Sequence, residues 1–260
     1  MNLSKIKCFI LDMDGTIYLG NNLFSYTHRF LEKIKSTGRD FYFFTNNSSK
    51  STDAYLEKLK KMNINIDKSH MLISTNVIID YLLNNHKGKS VYAVGTPSML
   101  EFFTKAGIEL NDTNPDIVVI GFDPTLTYEK LCKACKFVKN GAIYYGINQD
   151  TTCPVEDGFV PDCGSTAKLI EAATGRYPRF FGKPTVDTFN YIIKKTGYKP
   201  CEIGVVGDRL ETDISLCIGN EMTSILVLTG EATKEDTIKK NIIPDVILES
   251  IDEITKLLTD

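Results

Sequence analysis

The sequence predicts an α/β protein, a doubly wound parallel sheet with a second α/β region inserted into it, and three observations predict this. Short apolar runs alternate with helical patterns almost from end to end, which argues parallel sheets covered by helices on both faces. The first run, Cys8-Phe9-Ile10-Leu11, is continuously apolar rather than alternating, as a strand buried on both faces must be. Polar residues gather at four predicted strand ends, where open α/β sheets hold their ligands.

Composition narrows the class. The chain has 260 residues, enough for one large or two modest domains, with 42% hydrophobic and 24% charged residues. The net charge is −3 with Lys and Arg scattered, so nucleic acid is not expected as a partner. No apolar run approaches bilayer-spanning length, and the N-terminal one ends in acids, so neither a membrane partner nor a signal peptide is expected. Seven Cys, an odd number without framework spacing, fit reduced thiols and a cytoplasmic location. Cys132 and Cys135 form a C-x-x-C inside a helical pattern, with no second Cys pair or His cluster to complete a zinc site.

Taken in order, strand 8–11 leads into Asp12-Met13-Asp14-Gly15-Thr16. A spacing of two puts Asp12 and Asp14 on one face of extended chain, and Gly15 lets the backbone turn sharply. A small hairpin around Gly20-Asn21-Asn22 follows, then a helix over 26–36. The aromatic strand 41–44 ends in Thr45-Asn46-Asn47-Ser48-Ser49, ahead of a helix over 52–62. That cluster reads as a helix N-cap, as a phosphate cradle, or as both. Strands 71–74, 90–95, 116–122 and 142–147 alternate with helices 75–83, 97–106 and 127–139. The stretch 148–164, with Pro154, Gly158, Pro161 and Gly164, reads as loop-rich, and a helix over 165–174 ends at Gly175. Phe180-Phe181-Gly182-Lys183-Pro184 precedes a helix over 185–196. Strand 202–207 runs into Asp208, with a helix over 212–218 that holds Asp213. Strands 223–228 and 245–248 and a helix over 251–258 close the chain. No Gly/Ser linker marks a boundary, but the βαβ units between Asn47 and Lys183 are enough for a sheet of their own.

Two carboxylates as close as Asp12 and Asp14 repel each other unless something offsets them. Mg²⁺ is the natural candidate, because it takes oxygen ligands and brings phosphate with it. The bland alternative is an acidic turn after a strand. Adding Thr45, Asn46, Lys183, Asp208 and Asp213 completes an inventory for phosphoryl transfer. A carboxylate serves as nucleophile, and a second acid protonates the leaving oxygen and then activates water. Mg²⁺ screens one anion from the other, while a hydroxyl, an amide and an ammonium bind the equatorial oxygens.

With these motifs in this order, the chain resembles the haloacid dehalogenase superfamily of phosphatases. Within it, the chain is similar to the NagD-type, p-nitrophenyl phosphatase-like branch with a large α/β cap. Asp12-Met13-Asp14-Gly15-Thr16 matches the family's first motif and Thr45 the second, here in the Thr45-Asn46-Asn47 form this branch favours. Gly182-Lys183-Pro184 matches the third, and Gly207-Asp208 with Asp213 the fourth. Further echoes lie at Gly121-Phe122-Asp123, Leu126-Thr127-Tyr128 and Ala172-Ala173-Thr174-Gly175-Arg176. The resemblance implies a Rossmann-like catalytic core from 1–75 and 182–260, with an inserted cap over 76–181. It implies Asp12 as nucleophile and Mg²⁺ ligand, and Asp14 as general acid/base giving the metal its backbone carbonyl. The same resemblance implies Asp208 as the third metal ligand and Asp213 as the group that orients it or a metal-bound water. It implies that Thr45, Asn46 and Lys183 hold the phosphate, that Lys183 counters the charge of Asp12, and that Asn47 supports the loop or touches substrate.

The expected partner is a small phosphorylated metabolite such as a sugar phosphate or a nucleotide. A homodimer is left open, since similar proteins pair through their caps. The stretch 148–164 is a candidate specificity segment, with Asn148, Asp150 and Asp162 either touching substrate or merely forming turns. A competing reading is a receiver-like signalling module that accepts a phosphate and does not turn over; Asp14 and the long insertion argue against it. A binding protein with a decayed site fits poorly, since no motif position is degenerate, and dehalogenase chemistry is disfavoured by Asp14.

Overall fold

The computed structural model describes residues 3–155 and 158–258. The chain opens with β1 (Cys8–Leu11), the hairpin β2 (Tyr18–Leu19) and β3 (Asn22–Leu23), α1 (Thr27–Ser36), β4 (Asp40–Thr45) and α2 (Thr52–Lys61). Then come β5 (Met71–Ile73), α3 (Ser74–Asn85), β6 (Val91–Val94), α4 (Pro97–Lys105), β7 (Ile117–Ile120), α5 (Tyr128–Lys139) and β8 (Ile143–Gly146). The hairpin β9 (Thr152–Val155) and β10 (Gly158–Pro161) leads to α6 (Cys163–Thr174), β11 (Arg179–Phe180) and α7 (Val186–Thr196). The chain ends with β12 (Ile203–Gly207), β13 (Thr223–Val227), α8 (Lys234–Lys239), β14 (Val246–Leu248) and α9 (Ile251–Leu257). No helix among the described residues is long and apolar enough to cross a membrane.

Contacts divide the chain into two compact units. The first comprises the chain up to Thr45, Leu56–Leu72 and the chain from Lys183 on; the second comprises Asn46–Tyr55 and Ile73–Gly182. The larger sheet runs β14-β13-β12-β1-β4-β5. Its pairs from β4 through β1, β12 and β13 to β14 are parallel. Phe9, Leu11, Phe43 and Phe44 are fully buried, each stabilising the fold by about 1.5–3 kcal/mol. That explains why β1 and β4 read as continuous apolar runs. Leu11 pairs with Val206 on one side and Phe43 on the other. Strand order reverses at β1, with β4 to one side and β12 to the other, and the crevice at such a reversal is where these sheets bind ligands.

The second unit has its own parallel sheet, β11-β8-β7-β6. Val94, Val118 and Ile120 from its strands pack on Leu131 and Val138 of α5 and Ile170 of α6. Thr96 and Thr127 cap α4 and α5 through their hydroxyls. Left-handed Gly175 closes α6, as its place after the last apolar turn implied.

Several stretches differ from expectation. The stretch 148–164 is not wholly loop, because Thr152–Val155 and Gly158–Pro161 form an antiparallel ribbon. A two-stranded ribbon leaves one edge of each strand free, so Pro154 and Pro161 are tolerated there, and neither strand buries a side chain fully enough to show a pattern. The helix expected over 212–218 is a wide π turn, Leu210–Ile214, followed by a 3₁₀ turn, Ser215–Cys217. There both Asp213 N and Ile214 N donate to Arg209 O, while the Asp213 side chain turns inward. Helix α8 was not foreseen, although its capping box of Thr233 and Asp236 was readable.

Candidate active site

The ends of β1, β4 and β12, all in the first unit, carry Asp12, Thr45 and Asp208. Asp12 N donates to Val206 O at 2.9 Å, which extends the β1 register by one residue and fixes where its carboxylate starts. Lys183 joins the acids. Its Nζ donates to Asp12 Oδ1 at 2.6 Å, Asp213 Oδ1 at 2.6 Å and Phe44 O at 3.0 Å. The residue is only 1% exposed, and a lysine is buried this far only when paired. Burial alone would pull its ammonium down, but Asp12 and Asp213 outweigh that and hold it above an ordinary lysine. It therefore stays cationic at any physiological pH.

Asp213 is fully buried and its Oδ2 also accepts from Arg209 N at 3.2 Å. Gly207 is required here, since a Cβ would stand 2.2 Å from Asp213 Cγ. Asp208, 3% exposed, accepts on Oδ2 from Glu231 N at 2.8 Å and on Oδ1 from Thr16 Oγ1 at 3.5 Å. Ligand oxygens of Asp12, Asp208 and Asp213 lie within 4.8 Å of one another. Burial pushes the Asp12 carboxyl well above the usual range; Lys183 opposes this, and Asp213 and Asp208 add to it. Burial first, and Asp213 next, push Asp208 from 3.8 up to about 7. Three buried carboxylates sharing one ammonium are a charge deficit that a cation corrects. The donor set is oxygen alone, which suits Mg²⁺ rather than a thiolate-seeking metal.

A pH dependence follows. Folded Asp208 keeps its proton up to about pH 7, whereas the unfolded group releases it near 3.8. The metal-free protein should therefore lose stability from this group as pH rises through that window, by a few kcal/mol at most. A divalent cation held by Asp208 would take the proton's place, so any stabilisation by Mg²⁺ should be larger at about pH 8 than at about pH 5. Melting temperatures with and without Mg²⁺ at the two pH values check this; an equal shift at both contradicts it.

The other expected residues are placed as follows. Asp14 is exposed, in the turn that bridges to Tyr18, with its Oδ1 3.4 Å from Gly20 N. Thr45 ends β4 and is 8% exposed. Asn46 and Asn47 belong to the second unit. Asn46 Nδ2 donates to Asp150 Oδ2 at 3.2 Å, and Asn46 O accepts from Ser74 Oγ and Asn148 Nδ2. Asn47 Oδ1 accepts from Ser49 N and Ser49 Oγ, and its Nδ2 lies 3.8 Å from Cys153 Sγ. Of the segment's candidates, Asn148 is fully buried as a loop brace and Asp162 caps α6. Thr16, Gly230 and Glu231, which shape the surroundings of Asp208, were not foreseen. Thr16 lies within a motif read for its acids and its glycine, and nothing in the sequence marks the other two.

Comparison with known proteins gives the family. Residues 9–109 match the family model for haloacid dehalogenase-like hydrolases, and residues 180–254 match a second model described as HAD-hydrolase-like. An acid sugar phosphatase of Staphylococcus aureus is 33% identical over 252 residues, covering 96% of this chain and 97% of that one. The crystal structure of a 4-nitrophenylphosphatase from Thermotoga maritima superposes with a TM-score of 0.94 at 40% identity, covering 98% of each chain. NagD of Escherichia coli K-12 gives a TM-score of 0.87 at 30% identity, covering 97% of this chain and 98% of that one. The chain belongs to the haloacid dehalogenase-like hydrolases, and within them it is a phosphatase of the NagD and p-nitrophenyl phosphatase branch.

Proposed function

We propose that this phosphatase hydrolyses small phosphate monoesters, with Mg²⁺, through an aspartyl-phosphate on Asp12. The observation that carries this is the buried Lys183 ammonium, 2.6 Å from both Asp12 and Asp213, with Asp208 beside them. Asp12 is the one acid of the buried three that keeps appreciable side-chain exposure, 14%, as a nucleophile must. The acid sugar phosphatase of Staphylococcus aureus makes a sugar phosphate the first substrate class to try.

In the first step an Asp12 carboxylate oxygen attacks phosphorus. The bond to the leaving oxygen breaks, and Asp14 gives that oxygen a proton. In the second step Asp14 takes a proton from water, which attacks the aspartyl-phosphate at phosphorus and releases orthophosphate, so Asp12 is restored. Lys183 stands opposite the developing charge and Asp213 holds it there. Thr45, at the end of β4, offers a donor for the phosphate oxygens. Asp12, Asp208 and the Asp14 carbonyl would hold Mg²⁺, which would supply screening of the nucleophile's charge from the phosphate's.

Steady release of many equivalents of p-nitrophenolate from p-nitrophenyl phosphate, abolished by chelator and restored by Mg²⁺, is the expected result. One equivalent of stable acyl-phosphate and no more would support the receiver-like alternative instead. The Asp14→Asn variant separates the steps. It should still release a good leaving group once, yet lose hydrolysis of alkyl phosphates by roughly 10²–10⁴-fold. Equal loss of the first, phosphorylating step on both substrate types would count against Asp14 as the acid.

A further inference from the structure

We infer that the loop 229–232, after β13, positions the Asp208 carboxylate and thereby sets the affinity for the divalent cation; this rests on the site reading above. Two backbone donors of the loop seize Asp208: Glu231 N reaches its Oδ2 at 2.8 Å and Ala232 N its main-chain oxygen at 3.0 Å. Gly230 lies flat against the carboxylate, since a Cβ there would stand 2.0 Å from Oδ2 and 2.4 Å from Cγ. Gly15, at φ +89°, would likewise place a Cβ 2.4 Å from the same oxygen. The carboxylate is thus packed closely by two glycines, with its strong hydrogen bond on Oδ2. Oδ1, whose donor Thr16 Oγ1 is 3.5 Å away, is the oxygen with lone pairs to give.

Two further bonds fasten the loop. Thr229 Oγ1 donates to Gly15 O at 2.5 Å, tying it to the turn that carries Asp14. Glu231 Oε2 pairs with Arg209 Nε at 3.0 Å, tying it to the residue after Asp208. The loop touches no reacting atom. Mg²⁺ demands near-ideal geometry at short distances, so a carboxylate turned away from its fixed plane binds it poorly. Groups that orient metal ligands in this way typically change affinity by about 10- to 100-fold when altered.

The test is the dissociation constant for Mg²⁺ alone, by titration calorimetry, together with kcat at saturating Mg²⁺. Gly230→Ala should raise the constant about 10- to 100-fold. Thr229→Val, which keeps shape and loses only the bond to Gly15, should raise it several-fold. In both, excess Mg²⁺ should restore most of kcat, which a merely destabilised fold would not do. Asp208→Asn is the control and should lose Mg²⁺ binding. If it does while both loop variants bind Mg²⁺ like the wild type, the inference is wrong and the site reading stands. If Asp208→Asn itself binds Mg²⁺ normally, the site reading fails and takes the inference with it. Should Gly230→Ala not fold, unchanged affinity in Thr229→Val is enough to overturn the loop's role.

Discussion

Asp12→Asn is expected to lower kcat on p-nitrophenyl phosphate by at least about 10⁴-fold, equivalent to roughly 5.5 kcal/mol of barrier, with the fold unchanged. The amide has nearly the same shape, but its oxygen is a poor nucleophile and forms no lasting acyl-phosphate. Stability should hold or rise. Lys183 keeps its 2.6 Å bond to Asp213, and one of three crowded buried carboxylates is gone. Activity and melting temperature are measured together. Hydrolysis near the wild-type rate would show that another group attacks phosphorus.

Lys183→Met is expected to damage both stability and catalysis. Methionine fills a similar volume, so the loss is of charge rather than of packing. Asp213 is left fully buried without its ammonium, Phe44 O loses a donor, and Asp12 faces two like charges alone. Removing one partner from such a buried cluster costs about 3–5 kcal/mol, read as a shift of the urea midpoint. The penalty should ease at low pH, where the orphaned acids protonate. Adding Asp213→Asn should recover part of the stability, because the two changes share one interaction. Activity should not return, since in the proposed mechanism this ammonium meets the phosphate's charge, and it is still missing. A stability equal to the wild type in Lys183→Met would mean the pairing is not a determinant of the fold.

Much of this centre was legible in the sequence, for physical reasons that can be named. Asp12 and Lys183 sit at or near strand and helix ends, where apolar runs give way to turn residues, so their positions follow from the pattern of burial. A lysine just before a helix N-terminus is electrostatically misplaced there, and the buried pair with Asp12 and Asp213 supplies the compensation. The turn around Asp213 was not legible as anything but a helix. The apolar spacing of Leu210, Ile214 and Cys217 is helical, while the Asp213 carboxylate is held inward by Lys183 Nζ and Arg209 N where the turn widens. The support of Asp208 by Gly230 and by Glu231 N was hidden for a different reason. A backbone N–H and a missing Cβ carry no side-chain signature, and their value depends on a loop remote in sequence. The ribbon at Thr152–Val155 was masked by its prolines.

The most direct test of the account is to mix Asp14→Asn enzyme with Mg²⁺ and p-nitrophenyl phosphate and to map the covalently bound phosphate by peptide mass spectrometry after acid quench. A burst of one equivalent of p-nitrophenolate, with the phosphate on the peptide that contains Asp12, is the predicted result. Phosphate carried on any other residue, or steady turnover with Asp12 unmodified throughout, would contradict it.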